Sequence, residues 1–560
     1  MRKKASWSIL VSILLVVSLF LTACGGNNNN ASDKNGASNN QLADKQVLYL
    51  YEGADIPTLD YTQATDTTSG DAISMLQAGL MVYDNNELKP DMAASEPEVS
   101  KDGTVYTFKI RDNAKWSDGS PVTAQDFVYG WQHELDPKTA APYSFIYASA
   151  NIKNAAKILD KNSDLYGKVD QLGIKALDDK TLQITLEKAT PYFLSLMSFQ
   201  PFFPAKKEFV EKQGDKYAKE PENLLYNGPF ILSKWDHGQG WTFKKNPKYW
   251  DAKNITLDEV NYKVVKDSTT SLNLYKTDQV YLKNLSAEFV DQYKNSKEFK
   301  TVPMSCVAYL KLNIAKVPAF QNEKVRKALY MAIDRKGITD VLLKNGSIPA
   351  QYFVPKNFTK GPDGKDFRAA APEGYNIGSQ KEATKLWNEA KKELHIDKLN
   401  LEYLTTDSDT ASKFAEYDAN QIEKTLPGVK VTITKQPWSE YLKRDSNGDY
   451  DIGGGASWCP DYQDPMTFLD MWTSNNQNNT GKWSDKHYDQ LITQAANLGN
   501  EPAERWSKLQ EAEKYLLEKA VIVPEYQLGR AYIVKPYVKG LVFQSYGATI
   551  DYRHAQIMKH

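Results

Sequence analysis

Two hydrophobic periods alternate along this chain, and that alternation limits the folds open to it more than any other feature. In 105-VYTFKI-110 and 181-TLQITL-186, apolar residues (Tyr106, Phe108, Ile110; Leu182, Ile184, Leu186) occupy every second position. A half-buried strand has that pattern. The run 47-VLYLY-51 is also strand-like. In 323-EKVRKALYMAIDR-335, Val325, Ala328, Leu329, Ala332 and Ile333 instead return with helical spacing. At 121-PVTAQDFVYGW-131, Thr123 is positioned to cap a helix with Asp126 three residues on, so the aromatics that follow are expected in the core. Turn-rich punctuation at 111-RDNAKWSDGSP-121, 226-YNGPF-230, 245-KNPKYW-250 and 355-PKNFTKGPDG-364 separates compact elements. Interleaved strands and helices predict α/β layers rather than a sandwich or a bundle. With 560 residues, two or three domains are expected.

The N-terminus sets the compartment. Arg2, Lys3 and Lys4 precede an apolar run from Ile9 to Leu21, too short to span a bilayer, which reads as a signal peptide over residues 1–23. The small residues of 21-LTAC-24 resemble a bacterial lipobox, which implies lipidation of Cys24 and a body held at the outer face of the cell membrane. The following stretch to residue 45, dominated by 25-GGNNNNASDKNGASNNQ-41, has the composition of a disordered tether.

Lys plus Arg (69) nearly balances Asp plus Glu (70), so nothing points to nucleic acid or another polyanion as partner. Aromatic residues are abundant, at 12% of the chain, and suit sites that are apolar and polar at once. Beyond Cys24 the cysteines are Cys306 and Cys459, which are free to pair or to remain thiols, and two alone do not make a structural zinc site. Hydrolase signatures are missing: there is no G-x-S-x-G and no H-E-x-x-H. The cluster 453-GGGA-456 lacks a phosphate-loop frame, and the six histidines are dispersed. No catalytic residue, metal or cofactor is expected, although a pair of Asp or Glu carboxylates brought together by folding stays open.

Several blocks, in order along the chain, identify a resemblance: 82-VYDNNELKPDMAASEPEVSKDGTVYTFKIRDNAKWSDGSPVTAQDFVYGW-131, 136-DPKTAAPYSF-145, 227-NGPFILSKW-235, 244-KKNPKYWD-251, 323-EKVRKALYMAIDR-335 and 456-ASWCPDYQDPMTFLD-470. The chain resembles the extracytoplasmic oligopeptide-binding lipoproteins of peptide ABC importers (family 5 solute-binding proteins), in their Gram-positive form. The resemblance implies a two-lobed periplasmic-binding-protein-like α/β fold with an inserted domain. Lobe I would take 46–78, 203–305 and 529–560, the insertion 79–202, and lobe II 306–528, with the ligand cleft between the lobes. It also implies a disulfide between Cys306 and Cys459, oligopeptides and importer permease subunits as partners, and a monomer.

A carrier of mixed peptides must hold what all peptides share, the ammonium end and the backbone, by adding the peptide as a strand. The resemblance gives Asp461 the ammonium, runs Ser457, Trp458, Cys459 and Pro460 beside the ligand with Trp458 as a pocket wall, and sets Ala64, Thr65, Asp66 and Thr67 across the cleft. Tyr143, Trp438 and Asn478 are further ligand-facing positions, whereas Asp464 is expected to be structural. Some relatives carry an arginine four residues before the cysteine, to meet the peptide carboxylate; here that residue is Gly455. The cleft then either accepts longer peptides or meets the carboxylate with another Lys or Arg. Rival readings are a receptor for one signalling peptide, a carrier of non-peptide cargo, a surface adhesin or chaperone, and a cryptic hydrolase.

Overall fold

The computed structural model describes residues 41–455, 457–544 and 548–560. The signal peptide, Cys24 and all but the last five residues of the tether lie outside them.

The predicted strands form. Val47–Glu52 runs parallel to Glu259–Val264, which continues antiparallel to Gly240–Lys245 and then Phe230–Asp236. Leu48 and Leu50 point into the core from the first of these. The start of the body thus pairs with a strand some two hundred positions later, and its end joins them: the amide of Ala43 donates to the carbonyl of Ile557 at 2.8 Å. Val105–Lys109 and Thr181–Thr185 pair in a separate antiparallel sheet with Glu98–Val99 and Ile174–Asp178. The alternating residues Tyr106, Phe108, Leu182 and Ile184 are buried there as expected.

The helix Ala124–Leu135 starts with a complete capping box: Thr123 accepts from the amide of Asp126, and Asp126 accepts from the amide of Thr123. Phe127 and Trp131 on this helix are fully buried, and the indole of Trp131 donates to the carbonyl of Phe202 at 2.9 Å. The helix Glu323–Ala332 buries the expected stripe and, beyond it, Arg326, Tyr330 and Met331. Arg326 is tolerated because its guanidinium donates to the carbonyls of Phe320 (2.7 Å) and Lys519 (2.9 Å).

The largest sheet runs in the order Leu282–Asn284, Ile522–Val534, Phe299–Leu312, Ile452–Gly453, Leu399–Thr406, Val429–Gln436, with Ile348–Pro349 and Ser457–Trp458 paired off this path. Phe299–Leu312 and Ile522–Val534 are long strands that pair antiparallel. Both run through the positions where the sequence analysis sets the lobe boundaries. Their register slips there: Pro303 faces Gly529 and Val307 faces Gln527, so four steps on one strand match two on the other. A bulge of this kind bends and twists a ladder locally.

Candidate functional site

The segment around Asp461 is built on the long strand. Trp458 pairs with Val307 and Ser457 with Ala308, so this short strand runs along the edge of Phe299–Leu312 opposite Ile522–Val534, beside the bulge. A disulfide joins Cys459 to Cys306 and fixes the next turn to the same strand. The indole of Trp458 donates to the carbonyl of Thr467 at 2.9 Å, and the hydroxyl of Thr467 accepts from the amide of Asp461 at 3.1 Å. The loop therefore closes on itself and holds the Asp461 carboxylate in place.

Two carboxylates in this loop have opposite surroundings. Asp464 is buried, accepts from the amide of Met466 at 2.9 Å, and takes both guanidinium nitrogens of Arg505 at 2.8 and 2.7 Å. It is structural, as expected. Asp461 has no cation within ion-pair distance among the described residues. Its one side-chain partner is Tyr143, whose hydroxyl donates to Oδ1 at 3.3 Å from a helix-bearing segment more than three hundred positions away. The Asp461 side chain keeps partial access to solvent, yet protein surrounds it closely enough that burial, reinforced by the Asp470 charge, raises its pKa well above the usual carboxylate range. Asp470 is itself raised to about 7, chiefly by burial. A carboxyl held this way is ready for a cation that brings its own charge and donors.

Tyr143 stacks on Phe145 and meets Phe199 edge-on, with ring centroids at 5.5 and 5.2 Å. It feels the charges of both Asp461 and Asp66, which brings the 64–67 segment toward the same region. The Asp66 carboxylate is occupied as the N-cap of helix Thr67–Leu76, accepting from the amide of Ser69 at 3.0 Å. Ala64 is buried, whereas Thr65 and Thr67 are exposed. The backbone of Thr65 makes no hydrogen bond among the described residues. This segment can therefore offer a ligand main chain but no free carboxylate.

Among the described residues, neither Trp438 nor Asn478 hydrogen-bonds Asp461. Trp438 opens a helix and stacks on Tyr441 at 5.5 Å, within a small core of Leu404, Tyr441 and Tyr450. The hydroxyls of Tyr450 and Thr480 share a hydrogen bond of 2.7 Å, and nearby Asn478 has a buried amide nitrogen without a partner among the described residues. Gly455 is in the left-handed region (φ +78°), and a Cβ there would lie 2.7 Å from the Thr405 hydroxyl oxygen. A longer side chain is disfavoured both by that contact and by the backbone.

Among the described residues no cluster of His, Cys, Asp and Glu is arranged to hold a metal, and no helix is long and apolar enough to cross a membrane. Sequence reasoning missed a cavity of about 560 Å³, lined among others by Tyr51, Glu52, Ser286, Leu342 and Asp409. Lys283 and Arg530 both line it. Neither sits in a motif, and only the fold brings them together.

Residues 87–480 match the model of bacterial extracellular solute-binding proteins, family 5. The dipeptide-binding protein DppE of Bacillus subtilis is 33% identical over 547 residues, covering 97% of both chains. The substrate-binding domain of an oligopeptide ABC transporter from Bacillus anthracis superposes with a TM-score of 0.87 at 43% identity, over 93% of this chain and all of that one. Listeria monocytogenes OppA bound to peptide superposes at 0.85 and 39% identity, over 92% of this chain and all of that one. Two structures of the Escherichia coli murein tripeptide binding protein MppA, each 31% identical, differ in their match. One gives a TM-score of 0.84 and covers 93% of this chain and all of its own; the unliganded open form gives 0.64, over 93% and 99%. The present arrangement is thus unlike that open form, and the fold is the expected two-lobed periplasmic-binding-protein architecture. The chain belongs to the family 5 extracellular solute-binding proteins.

Proposed function

We propose that this protein binds oligopeptides between two lobes and delivers them to a membrane ABC importer. The observation that carries this reading is Asp461: a positioned carboxylate, closely surrounded, raised in pKa and without a cation in ion-pair contact among the described residues. A peptide ammonium supplies that cation and its donors. The backbone at Ser457–Pro460 on one side and Ala64–Thr67 on the other would pair with the peptide as an added strand, with Trp458, Tyr143, Trp438 and Asn478 facing its side chains. With lobe I over 46–78, 203–305 and 529–560 and lobe II over 306–528, the slipped register between Pro303 and Val307 would serve as their hinge. Export and anchoring through Cys24 would keep the body outside the cell. The reading needs no catalytic step.

Native mass spectrometry of the purified protein, followed by denaturation to release bound material, tests this. A ladder of added masses that resolves into mixed peptides is expected. A single defined mass would instead indicate a dedicated receptor. Titration with N-acetylated peptides tests the role of Asp461: they should bind far more weakly than free-amine peptides, and equal binding would remove it.

A further inference from the structure

We infer that the Cys306–Cys459 disulfide is a reversible redox site coupled to the ligand: an extracytoplasmic dithiol opens it in the empty protein, and a bound peptide protects it. The inference rests on the peptide-binding reading and adds a control on the same site.

The bond joins two positions that the backbone already holds together. Trp458 pairs with Val307 and Ser457 with Ala308, and in this antiparallel register Cys459 falls opposite Cys306, with their Cα atoms 4.2 Å apart. Opposed residues of an antiparallel pair lie about 4.5 to 5.5 Å apart without any crosslink. Opening the bond therefore leaves two thiols as neighbours, placed to close again.

What the bond alone secures is the step from the ladder to the ligand carboxylate. The short strand ends at Trp458. Past it, the disulfide carries the attachment on to Cys459, two residues before Asp461. At its other end the bond is planted in the slipped register, where Met304, Ser305 and Cys306 have no rung on Ile522–Val534. The bond thus bolts the Asp461 loop to the hinge of the proposed lobes. With it open, the Asp461 amide keeps its hydrogen bond to the Thr467 hydroxyl, but the covalent tie to that strand is gone.

The two sulfurs differ in access. Cys306 is 3% exposed, whereas Cys459 is half-buried, on the segment beside which the peptide would run. A thiolate of the dithiol attacks Sγ of Cys459 and expels Sγ of Cys306, which takes a proton. The second thiol of the reductant then attacks the mixed disulfide at the reductant's own sulfur and releases Cys459 as a thiol. Two electrons and two protons pass to the protein, and the dithiol leaves as a disulfide. A peptide lying along Ser457–Pro460 covers Cys459 and closes this path. Linkage makes the coupling reciprocal: whatever factor the bond adds to peptide affinity, bound peptide adds to the preference for the bonded state.

The test is calorimetric titration of the purified protein, freed of resident ligands by unfolding and refolding without reductant. A free-amine alanine–leucine pentapeptide is titrated before and after dithiothreitol, and the state of both cysteines is read by alkylation and mass spectrometry. The oxidised protein should bind at least tenfold more tightly than the reduced one, and the reduced protein should keep a cooperative unfolding transition. Saturating peptide should shift the thiol–disulfide equilibrium by the same factor, about 30 mV for tenfold, and should slow reduction at least tenfold. The double variant Cys306→Ser with Cys459→Ser should bind like the reduced parent and ignore dithiothreitol. In Asp461→Asn the oxidised and reduced affinities should agree within twofold, because the bond acts through that carboxylate. Equal affinity of the two states in the parent would overturn the inference, as would a bond that dithiothreitol leaves intact in the folded empty protein. Loss of folding on reduction would overturn it in favour of a structural staple. In each of these cases, peptide binding by the oxidised protein leaves the carrier reading intact. Failure of the oxidised protein to bind would overturn both.

Discussion

Asp464 and Asp461 stand three residues apart in one loop, and the fold treats them in opposite ways. Asp464 has a bidentate arginine and a backbone donor, all inside the protein. Asp461 has a tyrosine hydroxyl and little else. The first carboxylate is satisfied before any ligand arrives; the second is completed by one. Position in a motif does not separate such neighbours. Their partners do, and those come from segments far away in the chain.

The comparison can be broken first at Arg505. Arg505→Met leaves Asp464 buried and unpaired, and should destabilise the protein by about 3–5 kcal/mol, read by denaturant unfolding, with peptide binding lost only as the fold is lost. Asp461→Asn should behave in the reverse sense. Affinity for free-amine peptides should fall by about 2–5 kcal/mol, with little further loss for N-acetylated ones. The melting temperature of the ligand-free protein should hold or rise. The sign follows from the raised pKa: a carboxyl whose folded pKa exceeds its unfolded value disfavours the folded state once pH rises past the unfolded pKa, and asparagine removes that penalty. A lower melting temperature for the empty Asp461→Asn protein would contradict this assignment.

Acid sharpens the contrast further. The ammonium needs the Asp461 carboxylate ionised, so lowering the pH below its raised ligand-free pKa should weaken free-amine peptides by up to about tenfold per unit. Binding in that range should release a proton, detectable as buffer-dependent heat. The smallest effect belongs to Tyr143→Phe, which removes the one hydroxyl on Asp461. Peptide affinity should change by about 0.5–1.5 kcal/mol, against an unchanged unfolding midpoint. A loss as large as that of Asp461→Asn would mean that the tyrosine, rather than the carboxylate, carries the amino end.

Elements that depend on local order were legible in the sequence. The strands at 105–110 and 181–186 and the capping box at Thr123 follow from spacing within a few residues, and the fold reproduces them. The helix at 323–335 was legible only in part. Its apolar stripe was plain, but the burial of Arg326 depends on carbonyls at Phe320 and Lys519, one of them nearly two hundred positions away. Asp464 was read as structural, although no local signal points to Arg505. Trp438 and Asn478 entered through family resemblance, and the fold packs Trp438 against Leu404, Tyr441 and Tyr450. Lys283 and Arg530 were invisible for a simpler reason: a lone basic residue on a strand looks the same whether its neighbours leave it in water or enclose it. Gly455 shows the reverse case, where an absent side chain was noticed but the crowding by Thr405 that disfavours one was not.

The slipped ladder has a consequence for how such proteins can be rebuilt. The chain passes outward at Val307 and returns at Gln527, and these two residues are partners on the same rung. Everything between them is a loop closed at its base, with its two ends one strand spacing apart, about 5 Å. A segment of that kind can be exchanged as a cassette: a relative's version, cut at the same rung, meets the host at two peptide bonds one strand apart and, through its match to Cys459, at the disulfide to Cys306. Recombination among paralogues, or deliberate grafting, could then pass half of a binding surface between carriers while the other half and its membrane-facing partner stay in place.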